Sequence, residues 1–309
     1  MTKYWSLAAL ALLTTLGHAR ASGEVSEGFT AGADQVRIHY WYAGAAEARH
    51  TLLLIPGWRI SASIWSKQLA YFSEHGYRVI AMDSRSQAGS SVAASGNAPE
   101  NRAADIDRVI AGLHLKHVGL IGWSQGAQDV VAYVDLFGTG AVESVALIDS
   151  PVSAGPADVA ESPPFVKAIL QGIGLYSRDP RTYSDGMMHA IISAPASPEI
   201  FKNLDDESLK TPVDIGISML IQDLFVSDRR PALKKFDKPT LVVASSQSPL
   251  LDSQKQMAAM LPHGQFVEID HSAHALFFDQ PDEFNGKLSD FVASVDAGGQ
   301  RPPLKGRRQ

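Results

Sequence analysis

The sequence predicts an α/β protein in which a mostly parallel sheet lies between two layers of helices. Short apolar runs typical of buried strands alternate with helix-compatible segments over most of the 309 residues. One of these strands, residues 118–121, runs through Gly122-Trp123-Ser124-Gln125-Gly126 directly into a helix-compatible segment. A strand that turns sharply into a helix at G-x-S-x-G is typical of an exposed serine nucleophile.

The first half of the chain carries the clearest alternation. An alternating strand at 35–41 precedes a continuous apolar strand at 51–55, which ends at Pro56-Gly57. The following segments are a helix, a strand that ends in a small polar loop, a second helix and, after the serine turn, a further strand that ends at Asp149: 61–75, 77–82, 99–115 and 144–148. These segments predict the first part of an α/β core, residues 22–151.

The alternation stops between residues 152 and 237, where no clear strand pattern occurs. Three segments there favour helices, namely 164–176, 182–193 and 212–226. The alternation then resumes with a strand, a helix, a strand and a final helix, at 239–244, 252–261, 266–269 and 282–295. We therefore predict a helical lid over 152–237 and a second part of the core over 238–296.

The two ends of the chain differ from the rest. Residues 1–21 combine an early Lys3, a largely apolar stretch and Ala19-Arg20-Ala21, which is typical of a cleaved signal peptide. The apolar stretch is shorter than the about 20 residues that a bilayer span needs, so we expect an exported, periplasmic or secreted protein without stable membrane insertion. Residues 297–309 are basic and rich in Gly and Pro, which predicts a disordered tail.

Composition narrows the chemistry. The net charge of −6 gives no reason to expect nucleic acid as a partner, and the absence of cysteine excludes a cysteine nucleophile. The sequence contains neither an H-E-x-x-H motif nor a phosphate-binding loop with its lysine, so no metal or cofactor is predicted. The sequence does not determine the oligomeric state.

Taken together, these motifs resemble those of the α/β-hydrolase superfamily over about residues 35–295. The matching pieces are Leu54-Ile55-Pro56-Gly57-Trp58, the loop 83–91, the serine turn, and Ser272-Ala273-His274-Ala275-Leu276-Phe277. The resemblance implies a sheet flanked by helices, with a lid between the sixth and seventh strands of the family. It also implies the family order of nucleophile, acid and histidine along the chain.

The resemblance implies a catalytic Ser124 with His274 as its base, because a serine hydroxyl needs a base within hydrogen-bonding reach. His271 is the only local alternative to His274. Members of the family commonly carry the acid after the seventh strand, where this chain has Ser248, but some branches carry it after the sixth strand, at the position of Asp149. Asp149 is therefore the favoured acid, and Asp252 and a histidine without an acid remain alternatives.

An oxyanion hole needs two donors aimed at the developing negative oxygen. The resemblance places them at the backbone N–H groups of Gln125 and Trp58. The family usually has His-Gly before this position, whereas this chain has Pro56-Gly57. The next residue, Arg59, is expected either to be solvated at the surface or to pair with a substrate carboxylate.

These residues favour an exported serine hydrolase that cleaves a small carboxylic ester or lactone through an acyl-enzyme. Carbon–carbon bond hydrolysis and cofactor-free oxygen chemistry on the same scaffold are alternatives, which a panel of substrates distinguishes. Serine at the turn argues against the dehalogenase and epoxide-hydrolase branches of the family, which use Asp there. A degenerate hydrolase that only binds ligands is the non-enzymatic alternative.

Overall fold

The computed structural model describes residues 24–157 and 163–296. The predicted signal peptide and basic tail therefore lie outside the described residues. Eight strands form one sheet in the order β1-β2-β4-β3-β5-β6-β7-β8. In chain order the strands are Ser26–Ala31 (β1), Arg37–Ala43 (β2), Thr51–Ile55 (β3), Arg78–Met82 (β4), Val118–Trp123 (β5), Val142–Ile148 (β6), Thr240–Ser245 (β7) and Gly264–Ile269 (β8).

Strands β3 to β8 pair in parallel, whereas β2 pairs antiparallel with both β1 and β4. The helices of the core are Ser66–Glu74 (α1), Pro99–Gly112 (α2), Gln125–Phe137 (α3), and, after the helices described below, Leu251–Met260 (α8), Leu276–Asp279 (α9) and Pro281–Asp296 (α10). The predicted fold class, a mostly parallel sheet with flanking helices, is confirmed.

Both faces of the sheet are covered, as the alternation of side chains along β3 demonstrates. Leu53 and Ile55 belong to the apolar cluster that α2 and α3 complete on one face, with members such as Ile106 and Val130. Leu52 and Leu54 point to the opposite face and belong to the cluster completed by α1 and α10. A strand buried on both faces has a continuous apolar sequence, which is the pattern of residues 51–55.

Between β6 and β7 the chain forms Pro163–Arg178 (α4), Pro180–Ile191 (α5), Pro198–Ser208 (α6) and Val213–Ile221 (α7), followed by a π-helical turn, Gln222–Val226. We call residues 163–226 the helical segment. Three of these helices overlap the predicted ones, and α6 was missed, although its Ser197 cap and Pro198 are typical signals of a helix start. The edge strand β1 was also missed, since its residues are alternately exposed and half-buried.

Within the two described stretches, none of the helices combines the length and apolar character needed to cross a bilayer.

Candidate active site

Ser124 lies in a strained turn between β5 and α3. Its backbone has φ 56° and ψ −117°, a conformation that side-chain-bearing residues rarely adopt. A Cβ at Gly122 would lie 2.3 Å from the carbonyl oxygen of Gly126, and a Cβ at Gly126 would lie 2.4 Å from that of Ile55. The two glycines of the motif are therefore required by close backbone contacts, and they allow Ser124 to occupy the tip of the turn.

His274 and Asp149 form a direct hydrogen bond. The Nδ1 atom of His274 lies 2.8 Å from Oδ2 of Asp149, which follows β6 and is buried. The other oxygen, Oδ1, accepts from the Ser245 N–H and from Nε2 of Gln254, both at 3.1 Å. An ionised carboxylate only accepts hydrogen bonds, so this arrangement requires the proton on Nδ1 and leaves Nε2 of His274 as an acceptor.

The alternatives for acid and base lie elsewhere. Asp252 is exposed in the first turn of α8, and it is Asp149, not Asp252, that contacts His274. His271 is exposed, and its carbonyl oxygen accepts a hydrogen bond from Gln280. Among the described residues, the structure thus brings together one of the predicted acids and one of the predicted histidines.

The loop that carries His274 is attached to the serine turn through Trp123. The indole Nε1 of Trp123 donates to the His274 carbonyl oxygen at 2.9 Å, and the two ring centroids are 5.1 Å apart. The same loop is fixed by Asp279, whose Oδ2 accepts from the Ala273 N–H at 2.7 Å. His274 therefore lies beside the residue that precedes Ser124.

A cavity of about 370 Å³ opens beside the histidine–aspartate pair. Asp149 and His274 contribute to its wall together with residues from α5, from the end of β7 and the loop after it, and from the loop after β8, namely Ala190, Ser245, Gln247, Ser248, Pro249, Leu250 and Ala273. The side chain of His274 keeps about a third of its surface exposed, whereas that of Asp149 keeps 3%. The histidine is thus accessible to a ligand, while its carboxylate partner is shielded from water.

The loop after β3 contacts the serine turn directly. A Cβ at Gly57 would lie 3.2 Å from the Cβ of Ser124 and 3.1 Å from the ring of Trp123. Over residues 24–157 and 163–296, the backbone N–H groups of Trp58 and Gln125 donate to no protein acceptor. Both predicted oxyanion donors therefore remain available to an external oxygen.

The helical segment contacts this loop through two neighbouring side chains. The indole Nε1 of Trp58 donates to the Gly216 carbonyl oxygen of α7 at 2.8 Å, and its ring packs edge-on against Tyr176. The guanidinium of Arg59 lies 4.0 Å from the ring centroid of Tyr176 and donates from Nη2 to Ser184 Oγ at 2.6 Å.

Arg59 is fully buried, so the expectation of a solvated surface arginine was wrong. Burial lowers the pKa of its guanidinium, and the nearby Tyr176, Tyr183 and Asp205 only partly oppose this effect. Its Nε and Nη1 atoms have no acceptor in the part of the chain that the structure describes. Sequence patterns did not predict this burial, because the covering residues come from the distant helical segment.

A second group of buried polar residues was also missed. Gln87, Arg102 and Asp223 are all buried, and they connect the loop after β4, α2 and the π-helical turn. One signal was available for Asp223, which is an isolated charge between the apolar residues Ile221 and Leu224.

In the described part of the chain, His, Asp and Glu do not form any group of three or more that could hold a metal ion.

Comparison with known proteins identifies the family of this fold. The model of the alpha/beta hydrolase family matches residues 52–287. The chain is 26% identical to a non-heme chloroperoxidase of Burkholderia pyrrocinia, over 84% of this chain and 97% of that protein. It is 24% identical to a bifunctional esterase/perhydrolase of Acinetobacter calcoaceticus, over 86% of this chain and 100% of that protein. The solved structure of an esterase from Exiguobacterium antarcticum superposes with a TM-score of 0.75 at 21% identity, covering 86% of this chain and 99% of that one.

Proposed function

Since the chain belongs to the alpha/beta hydrolase family, we propose that it is a serine hydrolase that cleaves a small carboxylic ester or lactone through an acyl-enzyme. The observation that carries the proposal is the 2.8 Å hydrogen bond between His274 and the buried Asp149, beside the strained turn of Ser124. A hydrolase fold alone does not fix the reaction, whereas a serine, a histidine with a free Nε2 and a buried carboxylate suit acyl transfer.

In the proposed mechanism the Oγ of Ser124 attacks the substrate carbonyl carbon while Nε2 of His274 accepts the hydroxyl proton. Asp149 holds the Nδ1–H of His274 and stabilises the imidazolium that forms. The N–H groups of Trp58 and Gln125 stabilise the negative oxygen of the tetrahedral intermediate. His274 then protonates the leaving alkoxide, and a water activated by the same nitrogen hydrolyses the acyl-enzyme.

A second candidate is perhydrolysis at the same acyl-enzyme. The names of the two relatives, a non-heme chloroperoxidase and an esterase/perhydrolase, favour it. Hydrogen peroxide would attack the acyl-enzyme in place of water, and the acyl group would leave Ser124 as a peracid, with no change in the roles of Ser124 and His274. Incubation with an acetate ester and hydrogen peroxide distinguishes the two, because perhydrolysis yields peracetic acid in addition to acetic acid.

The proposal is tested with a fluorophosphonate probe and a short-chain ester. We expect an adduct on Ser124, located by mass spectrometry, and a loss of ester hydrolysis of roughly 10⁶-fold in Ser124→Ala. Asp149→Asn should lose roughly 10⁴-fold because His274 then adopts the wrong tautomer. Asp252→Asn is the matched control and should keep the wild-type rate.

Two results would contradict the proposal. Wild-type ester hydrolysis by Ser124→Ala would exclude the acyl-enzyme. A folded protein that neither labels on Ser124 nor hydrolyses any ester would instead favour a degenerate hydrolase that binds ligands.

We also propose that residues 1–21 direct export and are removed, and that residues 152–237 act as a lid over the site. The contacts of Trp58 and Arg59 with the helical segment support the lid.

The export signal is tested by the mass of the intact protein from the periplasm or medium, which should correspond to a chain that begins at Ser22. Ala21→Arg should block the cleavage. A mature protein that begins at Met1 would contradict export through this signal.

A further inference from the structure

A chain of buried amides joins Gln125, which carries one proposed oxyanion donor, to Arg59, the residue that follows the other donor, Trp58. The side-chain Oε1 of Gln87 accepts from the backbone N–H of Arg59, the residue that follows Trp58. Nε2 of Gln87 in turn donates to Oε1 of Gln125 at 2.7 Å. The side chains of Gln87 and Gln125 are buried, so water does not compete for these bonds.

The chain ends on a carboxylate supplied by the helical segment. Nε2 of Gln125 donates to Oδ2 of Asp223 at 2.5 Å, and Asp223 lies in the π-helical turn that closes the segment. Oδ1 of Asp223 accepts from Nη2 of Arg102, and the same guanidinium donates from Nε to Asp129 at 2.8 Å. The carboxylate end of the chain is therefore anchored by a buried ion pair.

The two ends fix the direction of every bond between them. A backbone N–H can only donate, so Gln87 must present its oxygen to Arg59 and its amide nitrogen to Gln125. Gln125 must then present its oxygen to Gln87 and its nitrogen to Asp223, which as a carboxylate can only accept. Flipping either amide would place two donors or two acceptors against each other. The chain consequently has one arrangement.

The loop that receives the first bond is conformationally demanding. Arg59 has φ 60°, in the left-handed region that residues other than glycine avoid. Gln87 holds the peptide plane between Trp58 and Arg59 in this conformation. Trp58 N–H is one peptide before it, and a Cβ added at Gly57 would lie 3.2 Å from the Cβ of Ser124. A rotation of this plane would redirect the Trp58 donor away from the position where the oxyanion forms.

We propose that Gln87 and the side chain of Gln125 are positioning residues for the oxyanion hole, with Asp223 as their anchor in the helical segment. The proposal rests on the proposed function, in which the N–H groups of Trp58 and Gln125 stabilise the oxyanion. Through this chain the helical segment contributes to the geometry of the catalytic centre as well as to its cover.

The test compares Gln87→Met, Gln125→Met and the double variant with Gln68→Met. Gln68 is the matched control, because it is an equally buried glutamine whose amide bonds Phe277 and Asn285 rather than this chain. Amide hydrogen exchange is measured for a peptide that covers residues 57–61. The kcat and KM for p-nitrophenyl acetate are measured alongside, with urea unfolding to confirm that each variant is folded.

We expect faster amide exchange in residues 57–61 for Gln87→Met and for Gln125→Met, and wild-type exchange there for Gln68→Met. The kcat should fall about 10- to 100-fold in Gln87→Met and in Gln125→Met, while KM stays close to the wild-type value. The reason is that a misplaced oxyanion donor weakens binding of the transition state rather than of the substrate. The double variant should lose no more than the worse single variant, since either substitution already interrupts the chain.

Wild-type exchange in Gln87→Met and Gln125→Met would overturn the proposal, and so would losses in kcat that multiply in the double variant. Exchange is measured without a substrate. If the wild-type protein hydrolyses no ester, the proposed function fails, and the exchange result still decides whether the chain positions the loop.

Discussion

Two arginines, Arg59 and Arg102, are buried to a similar extent, but one contacts neutral groups and the other contacts acidic side chains. Arg102 is held between the carboxylates of Asp129 and Asp223, and their charges outweigh burial and raise its pKa. Arg59 contacts a hydroxyl, a carbonyl oxygen and aromatic faces, and burial lowers its pKa. The comparison teaches that burial alone does not define the role of a charge. Arg102 is a structural anchor, whereas Arg59 retains two N–H-bearing nitrogens without an acceptor in the described chain, next to the proposed oxyanion hole.

The largest effect is expected for Arg102→Met. Removing the guanidinium leaves the side chains of Asp129 and Asp223 buried without their shared cation, which should lower the free energy of unfolding by about 3–5 kcal/mol. Urea unfolding measures this change. Arg108→Met is the control, since Arg108 is exposed on the same helix and its loss should change stability by less than about 0.5 kcal/mol. Equal effects of the two substitutions would show that the buried cluster does not stabilise the fold.

A second prediction concerns which carboxylate in this cluster keeps a proton. Burial raises the pKa of Asp129 to about 7, although Arg102 opposes the shift. Burial also raises the pKa of Asp223. Asp223 accepts hydrogen bonds from both Arg102 and Gln125, whereas Oδ2 of Asp129 has no partner among the described residues. We therefore assign the retained proton to Asp129.

The sign of the pH effect follows from this assignment. Between about pH 4 and pH 7 the folded protein holds a proton on Asp129 that the unfolded chain has released, so stability falls as the pH rises through this range. Asp129→Asn removes the titration and should reduce the loss of unfolding free energy between pH 5 and pH 8. Urea unfolding midpoints at pH 5 and pH 8 measure this loss, and a loss equal to that of the wild type would contradict the assignment.

The smallest effect is expected for Arg59→Met. Methionine retains apolar contact with Tyr176 and removes a charge that no carboxylate of the described residues contacts directly, so stability should change by less than about 1 kcal/mol. Arg37→Met serves as the control, because Arg37 is an exposed arginine stacked 4.2 Å from the ring of Phe29. A loss as large as that of Arg102→Met would contradict this expectation, because the two arginines would then contribute equally to stability.

Much of the fold was predictable because its signals are local. The apolar run of β3 and the glycines around Ser124 act over a few residues, and both occur where the sequence predicted them. The edge strand β1 was missed because none of its residues is fully buried, whereas helix α6 was missed although its capping signal is local. The candidate site was predictable in part, since the order of motifs selected Ser124, His274 and Asp149 for their roles, which stay predictions.

The sequence by itself determined the strand-to-helix turn and the alternation of strands and helices, because steric limits and hydrophobic periodicity operate between near neighbours. Only the tertiary structure decided that His274 meets Asp149, 125 residues away, and that Arg59 is buried beneath helices more than 100 residues further along. It also decided that Gln87, Gln125 and Asp223 form one chain of hydrogen bonds. Such contacts depend on how the layers pack, and a buried polar group takes whichever partner the packing brings within hydrogen-bonding distance.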